Sequence, residues 1–414
     1  MSIFDAFLCD APARDLFDDH AFVAAMLRFE SALAQAQAAE GLVPGAAADV
    51  IARVCSDTSR FDPTAIARAS SRAGSVAIPL VQALKAAVAA EEPAAQPYVH
   101  WGSTSQDVID SAMALVSRAA LDGLLADLQA AATSTLDLSE RHAGQPMLGR
   151  TLLQPGSVTS FGWKCAGWAA PLVRSWCGLR AAGDAALQVQ LGGAVGTLAQ
   201  MQEHGRNKGP AVARRMAQSL GLAAPQAPWH TQRDRWVALG CELGILAGSL
   251  GKIARDVALM GQFELGEVAE PAEPGRGGSS AMPHKRNPVG SMVAIAAATS
   301  APQLVATLLS AMPQEHERAL GAWQAELAAW PALVVCVAGS VHAMAQVLAG
   351  LTVQGERMRA NVEAVRRALP PQAADEWFAS SLAGNAAALT HTQVARLRTA
   401  LATGRFTHKD THDH

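Results

Sequence analysis

The fold is decided by WVALGCELGILAGSLGKIARDVALM, Trp236 to Met260. Trp236, Leu239, Leu243, Leu246, Leu250, Ile253, Val257 and Met260 recur at alternating spacings of three and four, the period of one helical face. The stretch therefore predicts a helix whose apolar seam packs in a bundle or coiled coil. Gly240, Gly244, Gly248 and Gly251 form a second stripe of minimal side chains. Each glycine weakens an isolated helix by about 1 kcal/mol relative to alanine, so their recurrence predicts a neighbouring helix packed very close. Continued at the same spacing, the seam reaches Glu264 and Glu267, where the helix either leaves the core or ends facing a polar cavity.

Working outward, Leu121, Leu125, Leu128 and Ala132 repeat the helical period, with Asp122 and Asp127 between them. Before them, Pro44-Gly45, Asp62-Pro63 and Glu92-Pro93 punctuate shorter helical segments. No alternating β-branched run with hairpin turns is legible, so the expected class is all-α. The expected division is an N-terminal helical domain over residues 1–105, a central long-helix bundle over 106–353 and a C-terminal helical segment with tail over 354–414. Asn287 to Gln314 and Trp330 to Gly355 carry no charged residue and are long enough to span a membrane. Their Ser, Thr, Gln, Pro and His content instead suits the centre of a large bundle, where helices are apolar all round, and no membrane partner is expected.

A chain of 414 residues that is 50% hydrophobic and 17% charged can bury a large core. Its formal net charge of −3 argues against a nucleic-acid partner, which requires a basic face. Cys9, Cys55, Cys165, Cys177, Cys241 and Cys336 lack metal-site or disulfide-framework spacing and read as small hydrophobes in a reducing compartment. Acidic residues stand in the N-terminus where a signal peptide carries basic ones, so a cytoplasmic location is expected. The histidines of the last eight residues read as a tail rather than a metal site.

Four stretches carry chemistry. In GGSSAMPHKRNP, Gly277 to Pro288, a glycine pair permits a loop that moves over a ligand, Ser279 and Ser280 offer hydroxyls, Lys285 a cation and Asn287 an amide. The plain alternative is a polar turn with a solvated basic run. VHWGSTSQD, Val99 to Asp107, places a histidine and three hydroxyls just before a long helix, where N–H groups and the helix dipole favour an anion. Its plain alternative is N-capping by Ser105 with His100 incidental. GRTLLQ, Gly149 to Gln154, reads alone as a loop. QLGGAVG, Gln190 to Gly196, is glycine-rich but follows no strand, so it is no dinucleotide fingerprint.

In this order and at these separations the stretches resemble the fumarase/aspartase superfamily, which includes argininosuccinate and adenylosuccinate lyases. The resemblance covers most of the chain to about residue 365 and implies a three-part helical fold that tetramerises, with active sites shared between subunits. It implies that Ser279 exchanges a proton with carbon and that Lys285 and Asn287 hold the substrate carboxylate. His100, Thr104, Ser105, Ser280 and Met282 would line the same pocket, and Thr151 and Gln154 would contact substrate. Superfamily lyases usually carry Thr-His-x-Gln in the third stretch, whereas this chain has Thr151-Leu152-Leu153-Gln154. That replacement, with FGWKCAGW (Phe161 to Trp168) and QEHERALGAWQAE (Gln314 to Glu326), resembles the bacterial 3-carboxy-cis,cis-muconate cycloisomerase branch. Pro155 to Thr159 departs from the superfamily pattern and shifts the expected start of the next helix, and the C-terminal part is expected to be shortened.

The branch's chemistry accounts for the missing imidazole. A lyase that expels an amine benefits from a proton donor, but in a cycloisomerase the group that adds is a carboxylate of pKa about 4, already anionic. Leu152 is then expected to serve as wall. No cofactor or metal is expected, only groups that hold an enediolate. A substrate with three carboxylates needs cations, for which Lys285 comes first and Arg150, Arg233 and Arg318 follow, the arginines having structural pairing as their plain alternative. The rival readings are another β-elimination of the superfamily, such as that of adenylosuccinate or a succinate derivative, and a non-catalytic homologue.

Overall fold

The computed structural model describes residues 5–273, 275–278 and 281–406; Ser279, Ser280 and the terminal histidines lie outside them. The first part of the chain is α1 (Asp5–Leu8), α2 (Ala11–Asp15), α3 (Asp19–Ala39), α4 (Gly45–Ser56), α5 (Pro63–Ala73) and α6 (Ala77–Glu91). Proline and aspartate set these boundaries: Asp62 caps α5 by accepting from Ala65 N, and Pro63 follows at the first helical position, where a missing N–H costs nothing.

The long elements come next: α7 (Ser105–Arg141), the strands β1 (Pro146–Thr151) and β2 (Gln154–Ser160), α8 (Phe161–Ala186), α9 (Gly209–Leu220), α10 (Asp234–Met260), α11 (Val289–Ser310) and α12 (Ala322–Ala349). Helices α7, α8, α10, α11 and α12 pack on one another as the central bundle. All eight seam residues of α10 are buried. Its glycine stripe faces α11: a Cβ at Gly240, Gly244 or Gly251 would lie 2.6, 2.8 or 2.3 Å from Leu308, Val305 or Ala298. Gly248 meets nothing within 4 Å, so three of the four glycines mark the close packing.

The chain closes with α13 (Gly355–Arg367), α14 (Pro371–Phe378) and α15 (Ala383–Thr403), the last of which folds back on α8 and α7. One core runs from Ala13 to Ala400, and a small second cluster of Leu148, Val158, Val362, Phe378 and Ala383 fills the space between the β1–β2 hairpin and the C-terminal helices.

Two local expectations change. The third stretch, read as a loop, closes an antiparallel hairpin in which Thr151 pairs with Gln154 across a two-residue turn. Leu152 and Leu153 both have positive φ, 51° and 65°, the requirement of a type I′ turn. The segment Pro155–Thr159 belongs to β2, and α8 begins only at Phe161, capped by Ser160 accepting from Trp163 N. At Glu264 and Glu267 the chain has left the α10 helix; Glu264 is exposed, and Glu267 is buried against Arg150 rather than facing a cavity.

Candidate active site

The turn before α7 is held from two sides. From α3, Gln37 Nε2 donates to the Trp101 carbonyl (2.7 Å), and Glu30 Oε1 lies 2.6 Å from His100 Nδ1. His100 itself has φ +61°, an uncommon conformation for a residue with a side chain. From α7, the fully buried Asp107 accepts from Thr104 N (3.1 Å) and the Ser103 hydroxyl (3.4 Å). The N-cap of α7 is thus Thr104, one residue earlier than the Ser105 alternative.

Asp107 also gathers the glycine-rich stretch. It accepts from Gly192 N (3.0 Å) and Gly193 N (2.9 Å), and His230 Nε2 lies 2.7 Å from its Oδ1. Gly193, at φ +67°, admits no side chain: a Cβ would stand 2.9 Å from the Gly102 carbonyl. Arg318 completes this wall, donating to Gln106 Oε1 (3.1 Å) and to the carbonyls of Gly193 (3.3 Å) and Ala194 (2.8 Å). The second and fourth stretches, far apart in sequence, therefore form one rigid surface on which His100, Thr104 and Ser105 are half-buried.

Under it lies a buried ionic layer. Arg233, expected among the substrate cations, donates to Asp110 (2.9 and 3.4 Å) and to both Glu326 oxygens. Burial by itself disfavours the Arg233 charge, but the two carboxylates outweigh it and raise its pKa. Burial lifts the Glu326 pKa, outweighing the opposing pull of Arg233, and the neighbouring Asp110 charge adds to the rise. Arg150, expected like Arg233 and Arg318 to meet substrate, forms a two-pronged pair with Glu267 (2.9 and 2.6 Å), which also accepts from Asn361 (2.9 Å). The geometry gives both Arg233 and Arg150 carboxylate partners inside the fold, the plain alternative to substrate binding.

The other stretches stand outward on the single chain. Thr151 and Gln154 are exposed, and Leu152 and Leu153 at the hairpin tip are 96% and 73% exposed. Leu152 is thus no wall of a pocket within one chain. In the loop Gly277–Pro288, Asn287 N donates to the Gly277 carbonyl (2.8 Å) and Gly278 bridges Arg286. A Cβ at Gly277, φ +68°, would fall 2.5 Å from the Asn287 carbonyl, so the loop closes only on glycine. Lys285, Asn287 and Met282 are exposed. Among the described residues the Lys285 and Asn287 side chains have no hydrogen-bond partner, and no three His, Cys, Asp or Glu side chains cluster as a metal site.

Sequence reasoning missed Glu30, Asp107, Asp110, His230 and Glu326. Asp107 stood inside a quoted stretch without a role. Glu30 had a legible signal: it lies on the same helical face as Met26, Leu27, Leu33 and Ala34, a charge on a core face. His230 had none, because its partner is 123 residues away.

A family model described as lyase matches residues 11–302. The chain is 50% identical over 360 residues, 87% of its length and 77% of the other protein's, to the 3-carboxy-cis,cis-muconate cycloisomerase of Pseudomonas aeruginosa. It is 45% identical over 359 residues, 85% of its length and 75% of the other's, to the nitrosuccinate lyase of Streptomyces davaonensis. Among solved structures, the 3-carboxy-cis,cis-muconate lactonizing enzyme of Pseudomonas putida superposes with a TM-score of 0.81 at 40% identity, covering 97% of this chain and 88% of that one.

Proposed function

From the premise that this chain belongs to the lyase family, we propose that it is a cofactor-independent 3-carboxy-cis,cis-muconate cycloisomerase, forming 4-carboxymuconolactone in aromatic degradation. The observation that carries the reading is the 50% identity to the Pseudomonas aeruginosa cycloisomerase across 87% of the chain. The enzyme works as a cytoplasmic homotetramer whose sites combine stretches of different subunits. The exposure of Lys285, Asn287, Thr151 and Gln154 on one chain supports this arrangement.

The reaction needs little acid–base help at its start. A substrate carboxylate oxygen adds to the double bond, a C–O bond forms, and the π electrons move onto the neighbouring carbon, delocalised into its carboxylate as an enediolate. Lys285 and Asn287 hold that carboxylate, acting most strongly where charge develops. Ser279 delivers the proton to carbon and recovers one from solvent. Arg318 fixes the Gly193–Ala194 backbone beside the substrate, with Thr104, Ser105, Thr151, Gln154, Ser280 and Met282 shaping the pocket.

The resemblance to nitrosuccinate lyase gives a second reading, elimination of nitrite from a succinate derivative. Nitrite and carboxylate are both weakly basic anions, so either departs without the histidine absent at Leu152. Purified protein incubated with a chelator is expected to consume 3-carboxy-cis,cis-muconate, followed by loss of its absorbance, at least a hundredfold faster than it releases fumarate from nitrosuccinate or adenylosuccinate. Fumarate release with inert muconate would overturn the cycloisomerase reading, and activity restored only by a divalent ion would overturn cofactor independence.

A further inference from the structure

The pair Glu30–His100 has features that ordinary packing does not require. Glu30 is 1% exposed on α3, its Oε1 is 2.6 Å from His100 Nδ1, and its Oε2 is buried with no hydrogen-bond partner among the described residues. A carboxylate so placed is costly unless a cation compensates it. Among the described residues no Lys or Arg forms an ion pair with it, and His100 is its partner. The imidazole keeps 15% of its side chain exposed, and among the described residues its Nε2 makes no hydrogen bond. The strained φ of +61° and the Gln37 contact to Trp101 fix the ring's direction from the backbone side.

We propose that Glu30 is a positioning residue that holds His100 as an imidazolium, Nδ1–H on Glu30 and Nε2–H presented to a substrate carboxylate. The proposal deepens the reading given above, since it rests on His100 belonging to the substrate site. It also supplies a cation where Arg150 and Arg233 do not, because both are engaged in the fold. The groups around the ring are Glu30 from α3, Lys85 from α6 and Asp107 from α7. Cys55 from α4 stands near Glu30 as a thiol whose pKa burial and that charge push up. Burial and Lys85 oppose the cation, while Glu30 and Asp107 favour it and raise the imidazole above its ordinary value. Glu30 is thus a device for keeping charge on His100 at neutral pH.

Two readouts test this. In histidine-labelled protein, the imidazole NMR signal lost in His100→Asn is followed against pH in wild type and in Glu30→Gln. The expected result is a wild-type midpoint above the free-histidine value of about 6.5, lowered by about one unit or more in Glu30→Gln. A wild-type midpoint at or below the free value overturns the proposal even if Glu30→Gln does not fold, and so does an equal midpoint in the two proteins. The second readout is the alkaline limb of kcat/KM for 3-carboxy-cis,cis-muconate, expected to move to lower pH in Glu30→Gln; an unmoved limb counts against the proposal. The NMR titration needs no turnover, so an inactive wild type would overturn the function while leaving the Glu30–His100 result to stand or fall alone.

Discussion

At the scale of single residues, the molecule separates charges buried and paired inside it, such as Arg233, from charges left exposed, such as Lys285. Arg233 is fully enclosed with Asp110 and Glu326, so Arg233→Met strands two carboxylates in the core. Breaking such an arrangement costs about 3–5 kcal/mol, and a markedly lower urea midpoint is expected. An unchanged midpoint with a raised KM would instead return Arg233 to substrate binding. Ser279→Ala is expected to slow turnover of the folded enzyme at least a hundredfold, the usual contribution of a positioned acid or base. A variant within threefold of wild type would remove Ser279 from the mechanism. Lys285 and Asn287 could be nominated from the sequence because a compact loop signature carries them, and both are exposed on the chain. Glu30 shows in the sequence only as a charge on a core face, and the pairings of Glu30 with His100 and of Asp107 with His230 could not be read because the partners lie 70 and 123 residues apart.

At the scale of elements, the α10 seam was readable in full because an unbroken period of three and four leaves no other buried arrangement. The β1–β2 hairpin was not readable. PMLGRT and QPGSVTS contain Pro and Gly in place of alternating β-branched residues, and Leu152-Leu153 replaces the Asn-Gly usual in a two-residue turn with positive φ. The hairpin is held instead by its surroundings: Arg150 on Glu267, Ser157 on the Trp377 carbonyl (2.8 Å), and the small cluster under Leu148 and Val158. Its tip carries a side chain that can neither give nor take a proton. Leu152→Ala is therefore expected to lower the rate through lost apolar contact while the pH–rate profile keeps its shape. Disappearance of a limb of that profile would show that Leu152 had been shielding or tuning a titrating group.

At the scale of the whole molecule, the long apolar helices are unequally covered. In its most apolar window α12 is 67% buried, whereas α11 is 28% buried, with Met292 and Leu309 exposed on it and Ile245 and Leu259 exposed on the adjoining α10. Apolar surface on this scale marks an interface, and the proposed occupant is the same bundle in other copies of the chain. Light scattering at micromolar concentration is expected to report four subunits. The same assembly would bring the Lys285 loop and the Thr151–Gln154 tip of neighbouring copies onto the His100–Thr104 surface, which is the central claim of the account. The most direct test mixes two inactive variants, Ser279→Ala and His100→Asn, under conditions that exchange subunits. If the two residues serve one site from different chains, hybrids contain sites with both native residues, and activity on 3-carboxy-cis,cis-muconate returns. If exchanged hybrids remain as inactive as either parent, the residues act from the same chain and the shared site is wrong.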